Sequence, residues 1–342
     1  MKIKRLLKIR SQRIVISMKR LKILELFGGV GAPRCALRNI GVPVKSIDYV
    51  EIDEKAVRSY NAMFKDDMEY GTQSVVGWNL KPDILIHGSP CQDFSIAGKQ
   101  KGADEGSETR SSLMWETLKI IRNFGEWKPK VVIWENVKNV RSKYMVHNHE
   151  KYLQEMANIG YKNTFALLDA RDFGLPQHRE RYFTVSVLDK YPFMFYEMNR
   201  KSMKSIWYYI EDDNDVPDYY TIKSPSMIKN IDPENFDKGL LKTLSVIKEY
   251  ALTISTKQDR CPNAGIVKRK DGSYRILTER ECWRLMGFSD EDYDHALIAN
   301  PSKPGKKNSA LYKQAGNSIA VPILESMFEV IVPKYFGDIY EE

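Results

Sequence analysis

Cysteine is scarce in this chain: 342 residues contain four, Cys35, Cys91, Cys261 and Cys282, and no two form a CxxC pair. That spacing argues against a disulfide framework or a cysteine-based zinc site, and it favours a reducing, cytoplasmic setting. No metal site is expected. Also missing is an unbroken apolar run long enough to cross a bilayer, so a membrane span is not expected. No internal repeat or low-complexity segment stands out. The body of the chain lacks net charge as well. The overall +8, from 53 Lys and Arg against 45 Asp and Glu, comes from residues 1–22, which hold nine basic residues and no acid. Beyond them a polyanion site has to be a local patch rather than a property of the whole surface. The basic start itself reads in three ways: a phosphate-gripping arm, a transit-like segment, or sequence ahead of a natural start at Met18, which opens "MKRLKILELF".

What is present is alternation. Short apolar runs, read as strands over Lys22–Phe27, Val44–Val50, Ile84–His87, Val131–Trp134, Thr164–Leu168 and Tyr182–Val187, are separated by helix-like stretches. Those stretches are Ala32–Ile40, Glu54–Phe64, Ser112–Phe124 and Glu150–Ile159. Short apolar strands separated by helices predict an α/β fold, a Rossmann-like, mostly parallel sheet with helices on both faces. Ligands of such sheets sit at the carboxyl ends of the strands. The rhythm stops near residue 189. Residues 189–273 are rich in aromatics and in isolated Pro and Gly, which reads as a smaller mixed domain. Helical order returns at Thr278–Met286 and Ile319–Val330. The expected organisation is a basic extension over 1–20, a first domain over 21–188, the small domain over 189–273, and a return to the first domain over 274–342.

The chemically loaded residues fall at the expected strand ends. "LELFGGVGAPRCAL" is a strand, a glycine turn with Phe27, Gly29 and Gly31, and a helix. Such a turn lets a ligand approach the backbone and face free helix N–H groups, although a tight βα turn requires glycine too. Its spacing is neither that of a dinucleotide fingerprint nor that of a P-loop. Glu51 ends the next strand about 20 residues on, where an acid can bind ribose hydroxyls; the competing role is a helix-start acid, which suits Asp53 or Glu54 better. Cys91 follows Pro90 in "GSPCQDFS", in a polar, glycine-bearing segment unlike a core site. As a nucleophile it needs a stabilised thiolate or a nearby proton acceptor. Glu135 and Asn136 end the strand "VVIW", where a carboxyl can meet a heterocyclic ring nitrogen. In "QHRER", Arg179 and Arg181 point the same way if the segment enters a strand, and two guanidiniums suit a phosphate or an electron-rich base. Each alone could be a surface salt bridge.

Taken in order, FxGxG, PCQ, ENV, QxRxR, a variable region, "RILTERECWRLMGF" and "QAGNSIAVP" resemble the C5-cytosine DNA methyltransferases over roughly residues 21–332. The resemblance implies an S-adenosylmethionine-dependent enzyme, releasing S-adenosylhomocysteine, that acts on double-stranded DNA. By this resemblance Cys91 adds to C6 of a flipped cytosine and Glu135 contacts the N3 edge. Arg179 and Arg181 would hold the base and nearby backbone. Phe27, Gly29, Gly31, Glu51, Ile52, Pro90, Asn317 and Ser318 would surround the cofactor, with Ile52 covering the adenine. The stretch 189–273 becomes a target-recognition domain. Two departures stand out: "VGWNL" offers Asn79 where an acid often meets the adenine amine, and the usual first-strand aspartate is Glu25. The physics is consistent with this reading. Cytosine is a poor electrophile that needs a soft nucleophile and a polarised N3 edge, and its ring faces are hidden in the stack until the base is extruded. Residues 257–280, with seven Lys or Arg against three acids, offer part of a positive lining.

Three rivals carry less. A tRNA cytosine-5 methyltransferase shares these motifs, but its CFT tripeptide is absent. An idle DNA-binding regulator would not need Cys91, Glu135 and both arginines. A cysteine hydrolase would leave ENV and GNS unexplained, and no histidine spacing singles out a partner for Cys91. The expectation is a monomer without membrane association, with a cognate restriction endonuclease as a conceivable companion.

Overall fold

The computed structural model describes residues 20–65, 68–75, 81–88, 113–143, 145–232 and 244–337. Asn79, Pro90 and Cys91 therefore lie outside the described residues. The chain opens with β1 (Leu21–Leu26), α1 (Ala32–Asn39), β2 (Val44–Val50), α2 (Glu54–Met63), β3 (Ile84–His87), α3 (Leu113–Asn123), β4 (Val131–Val137), α4 (Val146–Asn158), β5 (Lys162–Asp169) and β6 (Glu180–Val187). These strands form one sheet in the order β2-β1-β3-β4-β6-β5. β1 runs parallel to β2 and β3, and β3 to β4, whereas β6 is antiparallel to both β4 and β5. The reversal has a simple cause. Only residues 170–179 connect β5 to β6, too few for the crossover that a parallel pair requires.

Side chains alternate across the sheet, so each strand feeds two cores. Ile23, Ile84, Ile86, Ile133 and Val185 join the larger cluster, which includes α1, α2 and the C-terminal helices. Leu24, Leu26, Leu85, Val132 and Trp134 face α3 and α4. The same alternation puts Glu25, Gly88 and Glu135 on the larger-cluster side, at or just past the carboxyl ends of three adjacent strands. His87 and Asn136 fall on the other side.

Beyond β6 regular structure thins to isolated helical turns, a short α5 (Pro225–Ile228), a two-stranded pair β7 (Ile231–Asp232) and β8 (Leu244–Ser245), and a hairpin of β9 (Ile266–Lys268) and β10 (Tyr274–Ile276). Phe193, Ile206, Val216, Ile247, Ile254 and Ile266 from this region belong to the larger core cluster rather than to one of their own. Helices α6 (Glu279–Leu285), α7 (Asp290–Ala299), α8 (Ser309–Asn317) and α9 (Val321–Phe336) complete the chain. Local sequence sets their starts. Thr278 and Glu281 form a reciprocal capping box on α6, and Ser289 with Asp292 does so on α7. The stretch Ser309–Phe336 is long and apolar enough to suggest a membrane span, yet it is mostly buried. It consists of α8 and α9, separated at residues 318–320.

Candidate functional site

A cleft opens at the carboxyl edge of β1, β3 and β4, lined by Glu25 through Val30, Gly88, Glu135, Asn317 and Ser318. The glycine turn forms one wall. Gly31 caps α1 at φ +79°, and a Cβ there would stand 2.6 Å from the Tyr60 ring, so only glycine fits. Gly29 also has positive φ (+55°), but a Cβ on it would meet nothing within 4 Å. Phe27 holds a left-handed conformation as well (φ +56°), which costs a non-glycine residue energy and marks a constrained turn.

Glu51 reaches this turn from the end of β2. Its carboxylate accepts from the Gly29 N–H at 3.0 Å, the Ile52 N–H at 2.8 Å and the Asp53 N–H at 2.9 Å. A carboxylate offers about four acceptor sites, so one is left for a hydroxyl. Tyr49 steadies the turn from below by donating its hydroxyl to the Gly29 carbonyl at 2.5 Å. Ile52, next in the chain, is 75% exposed, an apolar side chain left bare at this end of the site. Lys313 on α8 pairs with Asp53, the N-cap of α2, and so ties the C-terminal helices to the same corner.

Glu25 is the group that sequence reasoning set aside. It is buried in the cleft floor, and Oε2 accepts from the Tyr60 hydroxyl at 2.6 Å. Oε1 has no hydrogen-bond partner among the described residues. Burial pushes its carboxyl up to about 7, against the Tyr60 hydroxyl and the Arg34 charge. A buried acid with one unmet oxygen in a ligand cleft fits a cationic group. With Glu51's remaining acceptor site and the bare Ile52, the donor set fits a nucleoside carrying a cationic tail. The sequence signals for Glu25 were an acid inside the otherwise apolar first strand and its match to the usual first-strand aspartate.

Glu135 stands at the opposite wall. Its Oε1 lies 3.1 Å from Arg181 Nε, and both side chains are mostly buried. Burial raises its pKa, and the charges of Arg181 and Arg179 pull it back. A Cβ built on Gly88 would lie 3.7 Å from Glu135 Oε2. Gly88 is the last described residue before the Cys91 segment and stands three positions ahead of Cys91 in the chain.

Arg179 and Arg181 do different things. Arg179 precedes β6, is 1% exposed, and donates to the carbonyls of Ile254 at 3.1 Å, Gly316 at 2.9 Å and Ser318 at 2.8 Å. Gln177 adds to this junction, donating to the Leu285 carbonyl at 2.8 Å and accepting from the Ile254 N–H at 3.1 Å. Arg181 meets Glu135, and Arg179 binds the junction carbonyls with its charge still felt by Glu135. Asn317 and Ser318, carried by the end of α8, line the cleft through that junction.

The family description "C-5 cytosine-specific DNA methylase" matches residues 21–333. The chain belongs to this family. Within it, a type II methyltransferase of Lactococcus lactis subsp. cremoris, M2.ScrFI, is 34% identical over 313 residues, covering 86% of this chain and 80% of that protein. An orphan methyltransferase of Bacillus phage SPR, M.SPRI, is 26% identical, covering 94% of this chain and 99% of its own length. In fold, this DNA methylase superposes on the Dnmt2 methyltransferase of S. pombe with a TM-score of 0.71 at 18% identity, over 93% of this chain and all of that one. The mixed sheet is therefore the Rossmann-like fold of C5-methyltransferases, and the chain is an S-adenosylmethionine-dependent DNA cytosine-5 methyltransferase by family. In this methylase, Phe27, Gly29, Glu135, Asn317 and Ser318 line one cleft, with Glu51 joined to it through the Gly29 N–H and Gly31 behind it as the cap of α1. Ile52 flanks it, and Arg179 supports it from behind.

Proposed function

We propose that this methylase transfers a methyl group to C5 of a cytosine flipped out of duplex DNA at a specific sequence, through a covalent bond between Cys91 and C6. The observation that carries this reading is the position of Glu135. Its partly protonation-prone carboxyl is held by Arg181 on the cleft edge, beside the glycine from which the Cys91 segment departs. In this scheme the Cys91 thiolate adds to C6 while Glu135 supplies a proton or hydrogen bond at N3. The displaced electron pair moves to C5, which takes the methyl group. Loss of the C5 proton to a base then lets the C6–S bond break, restoring the ring and the thiolate.

S-adenosylmethionine would supply an activated methyl on a positively charged sulfur. Toward it, Glu51 would accept from the ribose hydroxyls, Ile52 would cover the purine and Glu25 would face the ammonium. Gly29, with no Cβ, would let the backbone come close. Asn79 keeps the adenine role, and Pro90 the place beside the cofactor, that the resemblance implies. Residues 189–273 would read the DNA sequence as a target-recognition domain, in a bacterial or phage-infected cytoplasm.

Replacing Cys91→Ser tests the scheme at its centre. We expect methyl transfer to DNA to disappear while S-adenosylmethionine still binds in a calorimetric titration. Transfer at the wild-type rate would remove Cys91 from the mechanism. Glu135→Gln should lower kcat by about 10²–10⁴ with cofactor affinity near wild type, the size expected for a lost proton donor.

A further inference from the structure

Of the seven cations in residues 257–280 that composition offers as a DNA lining, four are already engaged. Arg275 is fully buried in a two-bond pair with Glu281, at 2.8 and 2.9 Å. Arg280 pairs with Asp294 at 2.6 Å, Lys270 with Asp212 at 3.2 Å, and Arg269 donates to the Val216 carbonyl at 3.1 Å. Lys257, Arg260 and Lys268 remain exposed, Arg260 with its Nε 3.9 Å from Asp259. A second source of charge comes from a stretch that composition gave no reason to join to them, "SKPGKKN" between α7 and α8. There Lys303 and Lys306 are exposed and Lys307 is half-buried.

Two contacts bring these cations onto one face. Ser309 at the start of α8 donates to Asp259 at 2.5 Å, so the lysine turn lies against the Lys257–Arg260 segment. That segment continues directly from the cleft rim. Arg179 holds the Ile254 carbonyl, and Gly316 packs so closely that a Cβ on it would stand 2.5 Å from the backbone of Ser255 and Thr256. Lys257 follows one residue later. The acids nearby do not cancel the patch. Asp259 is largely covered, takes Ser309 and sits at a long 3.9 Å from the exposed Arg260, and Glu279 is buried, accepting from the Asn308 N–H at 2.5 Å. Outward charge is therefore positive in a chain whose body is neutral.

We propose that Lys257, Arg260, Lys303, Lys306 and Lys307 form a phosphate-binding face that continues from the catalytic cleft and grips the DNA backbone beside the target base. The proposal rests on the DNA methyltransferase reading above. The nine residues of α8 span about 13 Å from cleft rim to lysine turn, well within one turn of duplex. A base delivered to the cleft would place phosphates along this face. Cations at such positions add affinity and salt dependence, not sequence reading.

The test is a salt titration of binding to a duplex of roughly 40 base pairs, with the slope of log K against log salt as the readout. Variants are Lys303→Gln/Lys306→Gln/Lys307→Gln, Lys257→Gln/Arg260→Gln, and a matched-charge control at the amino edge of the sheet, opposite the cleft, Lys45→Gln/Lys128→Gln/Lys162→Gln. For the first we expect the slope to flatten by roughly 2–3 and affinity near 0.1 M salt to fall at least about tenfold. Cofactor affinity, the sequence methylated and kcat at saturating DNA should not change, and the control should keep the wild-type slope. If the wild type methylates DNA but the first two variants bind it with unchanged slope, or the control flattens equally, the phosphate face is refuted and the methyltransferase reading stands. If the wild type neither binds nor methylates duplex DNA, that reading fails and takes the proposal with it.

Discussion

At the scale of single residues, Glu25 states the electrostatic logic of the cleft. Burial lifts its carboxyl from the ordinary 4.5 to about 7, so in the free protein its ionised form is disfavoured. The folded state then binds this proton more tightly than the unfolded chain. The free protein should lose stability as pH rises from about 4.5 to 7, by roughly 3 kcal/mol from this group. Thermal melts of wild type and Glu25→Gln test this: the variant should be the more stable above pH 7, and the gap should close toward pH 5. Binding of a cation runs the other way, because it needs the carboxylate. S-adenosylmethionine affinity should weaken below pH 7, approaching tenfold per pH unit, with a flatter profile in Glu25→Gln. A wild-type profile no steeper than the variant's between pH 5.5 and 7 would remove Glu25 from the cofactor's ammonium. His87 gives a contrast at the end of β3: burial pushes it down to about 3, so it stays neutral throughout this window.

At the scale of elements, the cleft is assembled by strand ends and by one helix end that a junction holds in place. Gly316→Ala should damage that junction, because the added Cβ meets backbone of Ser255 and Thr256 and not a flexible side chain. We expect a loss of about 1–3 kcal/mol in stability, as for overpacking elsewhere, with weaker cofactor binding. A denaturant melt and a cofactor titration on the same variant check both. How much of this was legible in sequence differs by element. β2 and β3 have the bounds that their apolar runs suggest, because each is closed by polar or turn residues. β4 runs on through Glu135, Asn136 and Val137 because Phe183, Tyr182 and Arg181 pair with them, a contact that local composition does not contain. α4 starts at Val146, ahead of the expected Glu150, since "VHNH" has weak helical character and is recruited by burial of Asn148 and His149. α9 runs to Phe336, past the expected end at Val330 and through Pro333, because its apolar residues on both sides of the proline are buried. The convergence of Glu135, Gly88 and the glycine turn followed from strand-end placement. The division of labour between Arg179 and Arg181 did not, since it depends on carbonyls 75 to 139 residues away.

At the scale of the whole molecule, a neutral body carries a catalytic edge, an irregular region after residue 188 and a positive face continuous with the cleft. The irregular region shares the larger core, so its recognition role would be expressed through its surface and not through an independent fold. Exchanging residues 189–273 for the corresponding region of a related methyltransferase should change the DNA sequence that is modified; unchanged specificity would contradict the recognition role. The most direct test of the central claim is bisulfite sequencing of DNA from cells expressing the wild type or Cys91→Ser. The account predicts 5-methylcytosine in one defined sequence context with the wild type and none with the variant. Absence of 5-methylcytosine from the wild-type sample, or its equal presence in the variant's, would contradict it.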